Sequence, residues 1–351
     1  MRTYDVIIAG GGPAGAACGA FCAQSGLSTL ILEKVTFPRD KVCGDCLNPS
    51  CWPLLERLDL ASRVLSLPHS KLEEIEFIGV RGRSICFPLN ASKRGEIAVK
   101  RAHLDNLLLQ RALECGAEVR ENAAITSIER GWRVHAAEKT FGARVLVAAD
   151  GRNSTIARSL SLLPAAKKDR IALQTHVPAP PGFGERVILR LLPEGYCGAA
   201  SIGDGEVNLC LVSRPKRIAS LKAWAEANFA VAASTAWRTI TPLSRAPISP
   251  AYENLFLCGD AARVVEPFTG EGIFYALASG ELAARHIRAG SSPGDYAREH
   301  ARLYRGRLWV NALAKRAVLY PRAGSLLLDL LRFYPPALRF LTAKVVGDAL
   351  R

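Results

Sequence analysis

Two sets of residues in this sequence are spaced for chemistry. Gly10, Gly12 and Gly15 make G-x-G-x-x-G, and Glu33 follows the first of them by 23 positions. In such a turn the first glycine allows the tight bend, the second lets the backbone approach a pyrophosphate, and the third lets a helix pack closely. The pyrophosphate rests at the helix N-terminus, beside Pro13 and Ala14, where unpaired N–H groups favour negative charge. Glu33 is placed to accept hydrogen bonds from an adenosine ribose, and its charge argues against a 2'-phosphate there. The second set is KVCGDCLNPSC, residues 41 to 51, which carries Cys43, Cys46 and Cys51. A zinc site needs about four ligands, commonly as two paired clusters. No second CxxC or HxxxH accompanies these cysteines, and the six histidines stand apart, so no metal is expected. Two readings stay open: a Cys43 and Cys46 redox pair, its thiols made acidic by Lys41, or the wall of a cofactor pocket that Gly44 lets a ring approach.

Strands and helices must hold these residues. Asp5 to Ala9 reads as a strand running into the glycine turn; a helix with Ala16, Ala17, Gly19 and Ala20 follows, and a second strand, Ser28 to Leu32, ends at Glu33. Two later segments repeat the strand-then-acid pattern. Arg144 to Ala149 ends in Asp150-Gly151 and continues into a helix containing Arg158. Leu255 to Cys258 ends in Gly259-Asp260, and a loop through Pro267, Thr269, Gly270, Glu271 and Gly272 opens a long helix of small residues. Arg101 precedes another helix, in VKRAHLDNLLLQRALECGA.

With these motifs in this order, the chain resembles the superfamily of FAD-dependent aromatic hydroxylases, geranylgeranyl reductases and flavin-dependent halogenases, over roughly its first 290 residues. The resemblance implies FAD as cofactor and NAD(P)H as electron donor. It implies that Asp260 holds the ribityl chain, and that Gly270, Glu271, Gly272 and Ile273 face the flavin pyrimidine, where a positive helix end stabilises the anionic reduced ring. Asp150 and Gly151 would organise FAD and the nicotinamide approach, Arg101 would reach the cofactor, and Lys34 would join Glu33 among the cofactor residues. Arg39, Lys41, Cys43 and Gly44 of TFPRDKVCGDCLNP match a stretch that lies along the isoalloxazine; Cys46 departs from the usual small or aliphatic residue.

The expected fold is α/β: a Rossmann-type FAD/NAD(P)-binding domain (1–70, 96–165 and 245–290), an interleaved β-sheet substrate domain (71–95 and 166–244), and a helical C-terminal segment (291–351). Strand-like segments at 72–79, 84–88, 96–99, 170–177, 186–192, 196–202 and 207–212 would build a sheet roofing the flavin, with a hairpin turn at Asp204-Gly205. Gly182-Phe183-Gly184 opens no helix, so there is no second dinucleotide fold, and either NAD(P)H visits the FAD domain itself or electrons come from another donor. The stretch LPEGYCGAASIGDG keeps Pro193, Gly195 and Tyr196 of the aromatic-rich motif of geranylgeranyl reductases, but has Gly198 and Ala200 where bulky aromatics stand; the lysine of tryptophan halogenases is also missing. What remains is a roomy apolar site for a hydrophobic aromatic, polyketide or lipid-like molecule, with Cys43, Gly44, Tyr196, Pro267 and Gly270 as pocket candidates. The expected function is a monooxygenase: NAD(P)H reduces the flavin, O2 is captured at C4a as a hydroperoxide, and a hydroxyl passes to the substrate. Reduction of C=C bonds in an isoprenoid or lipid is the alternative, and a non-catalytic redox sensor using Cys43 and Cys46 the third.

Composition bounds the rest. The chain has 351 residues, 49% of them apolar, and a net charge of +14, of which 13 Lys or Arg against 4 Asp or Glu from Arg285 onward supply +9. Such an excess favours anionic partners, a nucleotide cofactor or a phospholipid surface; no nucleic-acid signature appears. The tail reads as two short helices split by Pro335-Pro336, the second with Leu338, Leu341, Val345, Val346 and Ala349 on one face; it either lies on a membrane or caps the substrate domain. Ten scattered cysteines, no signal peptide and no long apolar run point to a cytoplasmic protein, membrane-peripheral at most.

Overall fold

Apolar runs that bury both faces favour parallel strands covered by helices, and the chain opens with one: Val6, Ile7 and Ile8 are fully buried in Arg2–Ala9. The computed structural model describes residues 1–89, 94–165, 170–267, 270–331 and 336. In it, five parallel strands make the centre of an eight-stranded sheet, in the order Leu255–Leu257, Lys139–Ala148, Arg2–Ala9, Thr29–Leu32 and Glu118–Arg120. The helix Pro13–Gln24 lies against this sheet and against the helix Gly272–Ala289. Small residues allow the approach: a Cβ at Gly280 would stand 2.4 Å from the Ala14 carbonyl oxygen, and one at Gly19 would stand 2.5 Å from Ile31 Cδ1.

A second, seven-stranded sheet forms the roof. Its order is Arg238–Ile240, Ile171–Pro178, Glu206–Ser213, Gly195–Ser201, Arg186–Leu192, Glu74–Ile78 and Ser84–Pro88. Asp204 and Gly205 turn its central hairpin with φ of +53° and +69°, the positive values a tight two-residue hairpin turn demands.

Two expectations about this sheet are corrected. The segment 72–79 is not one strand: His69–Leu72 ends, Glu73 donates its N–H to the Glu185 carbonyl at 2.8 Å, and Glu74–Ile78 continues in the roof. Glu96–Val99 is not in the roof either. It sits between Cys46–Leu47 and His69–Leu72 in a three-stranded sheet wedged between the two large ones. Strand alternation explains why all four of its residues are buried. Ile97 and Val99 pack into the core of the first domain, while Ala98 packs with Leu72, Val187 and Ala200 on the roof side.

The chain ends in three described helices, Pro293–Leu303, Leu308–Leu319 and Pro321–Leu331. The first packs on Gly272–Ala289; the others lie over the roof sheet, where Val318 and Leu328 join Tyr196 and Val212. The apolar face expected at Leu338 to Ala349 lies outside the described residues, as does Thr269. No helix among the described residues is long and apolar enough to cross a membrane.

Candidate active site

Parallel pairing brings four strand ends to one edge, so Gly10, Glu33, Asp150 and Gly259 stand together at the carboxyl ends of the strands, where open α/β sheets bind ligands. The turn is built for close approach. Gly10 takes φ +98°, a Cβ at Gly15 would stand 1.9 Å from the Gly10 carbonyl oxygen, and at Gly12 the nearest neighbour of a Cβ is Arg39 Nη2 at 3.4 Å. Glu33 is buried, and its Oε2 accepts the Gly11 N–H at 2.8 Å while its Oε1 accepts that of Val35 at 3.2 Å.

Beyond the turn, the strand-end acids organise cations. Asp150 Oδ2 accepts the Thr155 N–H at 2.6 Å, and Gly151 follows with φ +82°. Asp260 accepts from Arg152 Nη2 at 2.8 Å, and Arg152 also donates to the Pro242 carbonyl, so one guanidinium ties the two acidic loops together. Arg101, the first residue of Arg101–Glu114, clamps Asp105 with two hydrogen bonds of 2.6 and 2.8 Å. Burial works against its charge, but the Asp105 carboxylate more than offsets this and holds the guanidinium protonated. Lys41 feels the opposite balance: burial, then Arg152, Arg101 and Arg39, hold its ammonium below the ordinary lysine value. Four cations crowded round one cleft repel one another, and an anionic ligand relieves that cost.

The cysteine segment passes beside them. Cys43, Gly44 and Cys46 line the cleft. Burial raises the thiols of Cys43 and Cys46, with Arg101 pulling Cys43 the other way. Lys41 therefore does not make them acidic, contrary to expectation, and both thiols are free. Between them Asp45 is pinned in the left-handed region (φ +61°): its carboxylate takes the Arg101 N–H at 3.3 Å, His176 Nε2 at 2.8 Å and Asn208 Nδ2. Asp45 thus locks the loop to the roof.

One cavity of about 980 Å³ runs from the glycine turn to the roof and the C-terminal helices. Gly10, Gly12, Pro13, Ala14, Glu33 and Lys34 line one end; Arg39, Lys41, Arg101, Asp150, Gly151 and Asp260 follow. Pro267, Gly270, Gly272 and Ile273 line it too, but the Glu271 side chain does not. Glu271 is fully buried and turns away to Arg307 Nη1 at 2.6 Å, the Tyr275 hydroxyl at 3.2 Å and Asn311 at 3.3 Å, so only its backbone stays with the helix start. Tyr196 lines the cavity from the roof and is 3% exposed; burial, with the Glu266 carboxylate near it, raises its phenol. Ile75, Phe77, Val187, Leu189, Val310 and Leu328 make the far wall apolar.

The fit to a dinucleotide flavin rests on atoms the protein leaves over. Asp150 Oδ1 and Arg152 Nε are buried without hydrogen-bond partners, and both residues line the cleft, as does Arg39, whose Nη1 lies 3.2 Å from Asp105 Oδ2. Buried polar atoms of this kind are normally satisfied. Residues 3–180 match the family model described as FAD binding domain. The chain belongs to that family. This flavoprotein is 30% identical over 322 residues to menaquinone reductase of Mycolicibacterium smegmatis, covering 82% of this chain and 76% of the relative. It is 27% identical over 334 residues to digeranylgeranylglycerophospholipid reductase of Thermoplasma acidophilum, covering 87% and 83%. Its fold superposes, with a TM-score of 0.77 and 20% identity over 93% of this chain and all of the other, on PqsL of Pseudomonas aeruginosa, described as a probable FAD-dependent monooxygenase. The flavoprotein is an FAD-dependent oxidoreductase.

Sequence reasoning missed Arg152, Asp45 and Asn208, whose partners lie far along the chain, and Glu96, treated below. Only Glu96 left a signal in the sequence: a carboxylate at the head of the apolar run EIAV.

Proposed function

We propose that this flavoprotein is a monooxygenase that hydroxylates a hydrophobic aromatic molecule, with NAD(P)H as donor. The observation that carries the reading is the flat roof: Gly198 and Ala200 present almost no side chain to the cavity on the strand whose Tyr196 also faces it. A ring lies under such a roof, opposite the Cys43-Gly44 loop, and an apolar tail runs on between Phe77, Leu189 and Leu328. When bound, FAD supplies two-electron storage and the activation of oxygen. The chain's own residues do the rest. Arg39, Arg101 and Arg152 hold the diphosphate end, Asp260 the ribityl chain, and the roof with the C-terminal helices excludes water. On this assignment Asp260→Ala purifies with several-fold less FAD; unchanged FAD content would remove Asp260 from the cofactor site.

A second reading, C=C reduction in a prenyl chain, is supported by the two long relatives, both named as reductases of isoprenoid compounds. Product masses separate the two. With NADH or NADPH and air, oxygenation adds one oxygen atom to an alkylphenol and consumes O2; C=C reduction proceeds under argon and leaves menaquinone two hydrogens heavier even after its quinol form is reoxidised in air.

The reading extends to a lipid-facing mouth. Trp309, Tyr320, Leu326 and Leu330 are exposed on the helices that close the cavity, at 47%, 62%, 59% and 60%, with Arg305, Arg316 and Arg322 exposed on the same segment. Aromatics and cations together suit an anionic bilayer surface. The protein should co-sediment with phosphatidylglycerol vesicles and not with phosphatidylcholine ones, and Trp309→Ser with Leu326→Ser should weaken this; recovery with neither vesicle would rule the membrane out, and equal recovery with both would rule out the role of the arginines.

A further inference from the structure

Five carboxylates line the cavity, and four are engaged at the cofactor end. Glu33 holds the Gly11 amide, Asp40 holds Arg238, Asp150 holds the Thr155 amide and Asp260 holds Arg152. The fifth, Glu96, has no hydrogen-bond or ion-pair partner among the described residues, yet it is only 8% exposed. Its place follows from strand geometry. Residues two apart on a strand share a face, so Glu96 lies on the side of Ala98, which packs against the roof residues Val187 and Ala200. The side chain lines the chamber with Cys46, Asn48, Ile75, Phe77 and Leu89. An isolated carboxylate in such a wall is costly unless something it binds repays the loss of water.

The groups facing Glu96 do not repay it. From the Cys46–Leu47 strand comes the Cys46 thiol, and from the Pro49–Cys51 turn the Cys51 thiol; each feels the Glu96 charge as a further upward push. On the paired strand Leu72 stands opposite, while Lys71 is turned out to solvent near Glu73. Arg94, two residues before, is taken by Glu56.

Resting on the oxygenation reading, we infer that Glu96 is the polar anchor of the substrate chamber, and that it binds the hydroxyl of a phenol and takes its proton. The O–H bond of the phenol breaks, the proton goes to a Glu96 oxygen, and the electron pair stays on the phenolate, which makes the ring nucleophilic toward activated oxygen. O2 and a two-electron donor complete the balance: one oxygen atom enters the ring, and the other leaves as water with two protons. Glu96 returns its proton when the product phenol leaves. Burial alone pushes the Glu96 carboxyl up to about 7, so it is ionised in mildly alkaline solution, where it accepts the hydrogen bond of a phenol held against it and takes the proton as the reaction proceeds.

The test is a binding titration of the FAD-loaded protein with para-hexylphenol and with its methyl ether across pH 6 to 8.5, followed through the flavin absorbance. Wild type at pH 8 should bind the phenol about tenfold or more tightly than the ether, as expected for one charge-assisted hydrogen bond, and this preference should grow as pH rises through about 7, where the Glu96 carboxyl ionises. In Glu96→Gln the phenol-to-ether ratio should be smaller and unchanged across that range, while Glu96→Asp keeps part of the preference. FAD content and the melting curve of the Gln variant check its fold, and the phenol-to-ether ratio of the wild type stands if that variant fails to fold. Equal binding of phenol and ether by wild type, binding of neither, or a pH-dependent preference that persists in Glu96→Gln would overturn the assignment. The titration needs no turnover, so a phenol preference without oxygenation would retire the oxygenation reading alone.

Discussion

Glu271→Ala is expected to lower stability by about 3 kcal/mol, the cost of removing one partner from a buried ion pair. The carboxylate is fully buried, and Arg307, which donates to it at 2.6 Å, is only 8% exposed. Truncation takes an anion from a guanidinium that water does not reach, and it also strips the Tyr275 hydroxyl and Asn311 of an acceptor. The damage should be directional. Glu271 immediately precedes the helix at the cavity edge, while Arg307 and Asn311 belong to the segment carrying the lid helices, so hydrogen exchange should rise first across 308–331. A thermal melt several degrees below wild type checks the magnitude. Glu271→Ala and Arg307→Ala combined should cost much less than their sum; simple additivity would mean that the pair does not couple helix and lid.

Glu96 yields the second large effect, opposite in sign. Its carboxyl is raised from the ordinary 4.5 to about 7 by burial. Between those values the folded state holds a proton that the unfolded state has released, so stability falls as pH rises through the window. At about 1.4 kcal/mol per unit the loss reaches about 3 kcal/mol above neutrality. Glu96→Gln carries no such charge. It should match wild type near pH 4.5 and exceed it by about 3 kcal/mol at pH 8, measured by urea unfolding across pH. A variant less stable than wild type at pH 8 would show that the carboxylate has a partner in the protein.

The parts legible in the sequence were those whose physics is local. Gly10, Gly12 and Gly15 announce a turn because the φ of +98° at Gly10 and the 1.9 Å approach at Gly15 exclude a side chain. Asp204-Gly205 announces a hairpin because aspartate and glycine are among the residues that accept the positive φ of such a turn. What stayed hidden depends on pairing across the chain. Asp45 meets His176 131 residues away and Asn208 163 residues away, and no spacing rule reaches that far. The strand switch at Glu73 was equally invisible, because EIEFI and the segment before it are both extended and differ only in which sheet receives them. Glu271 shows the limit from the other side. Its backbone position was read from the motif, but the direction of its side chain is set by Arg307, in a segment expected only to be helical.

The central claim is that the chamber under Gly198 and Ala200 delivers oxygen to an aromatic ring. Its most direct test supplies heavy-isotope O2 to the FAD-loaded protein with NADPH and para-hexylphenol, and weighs the product. The product should be heavier by one labelled oxygen atom, formed in step with NADPH consumed. Consumption of NADPH with no label in the phenol, together with menaquinone that has gained two hydrogens under argon and keeps them after the quinol is reoxidised in air, would contradict it and make the protein a C=C reductase.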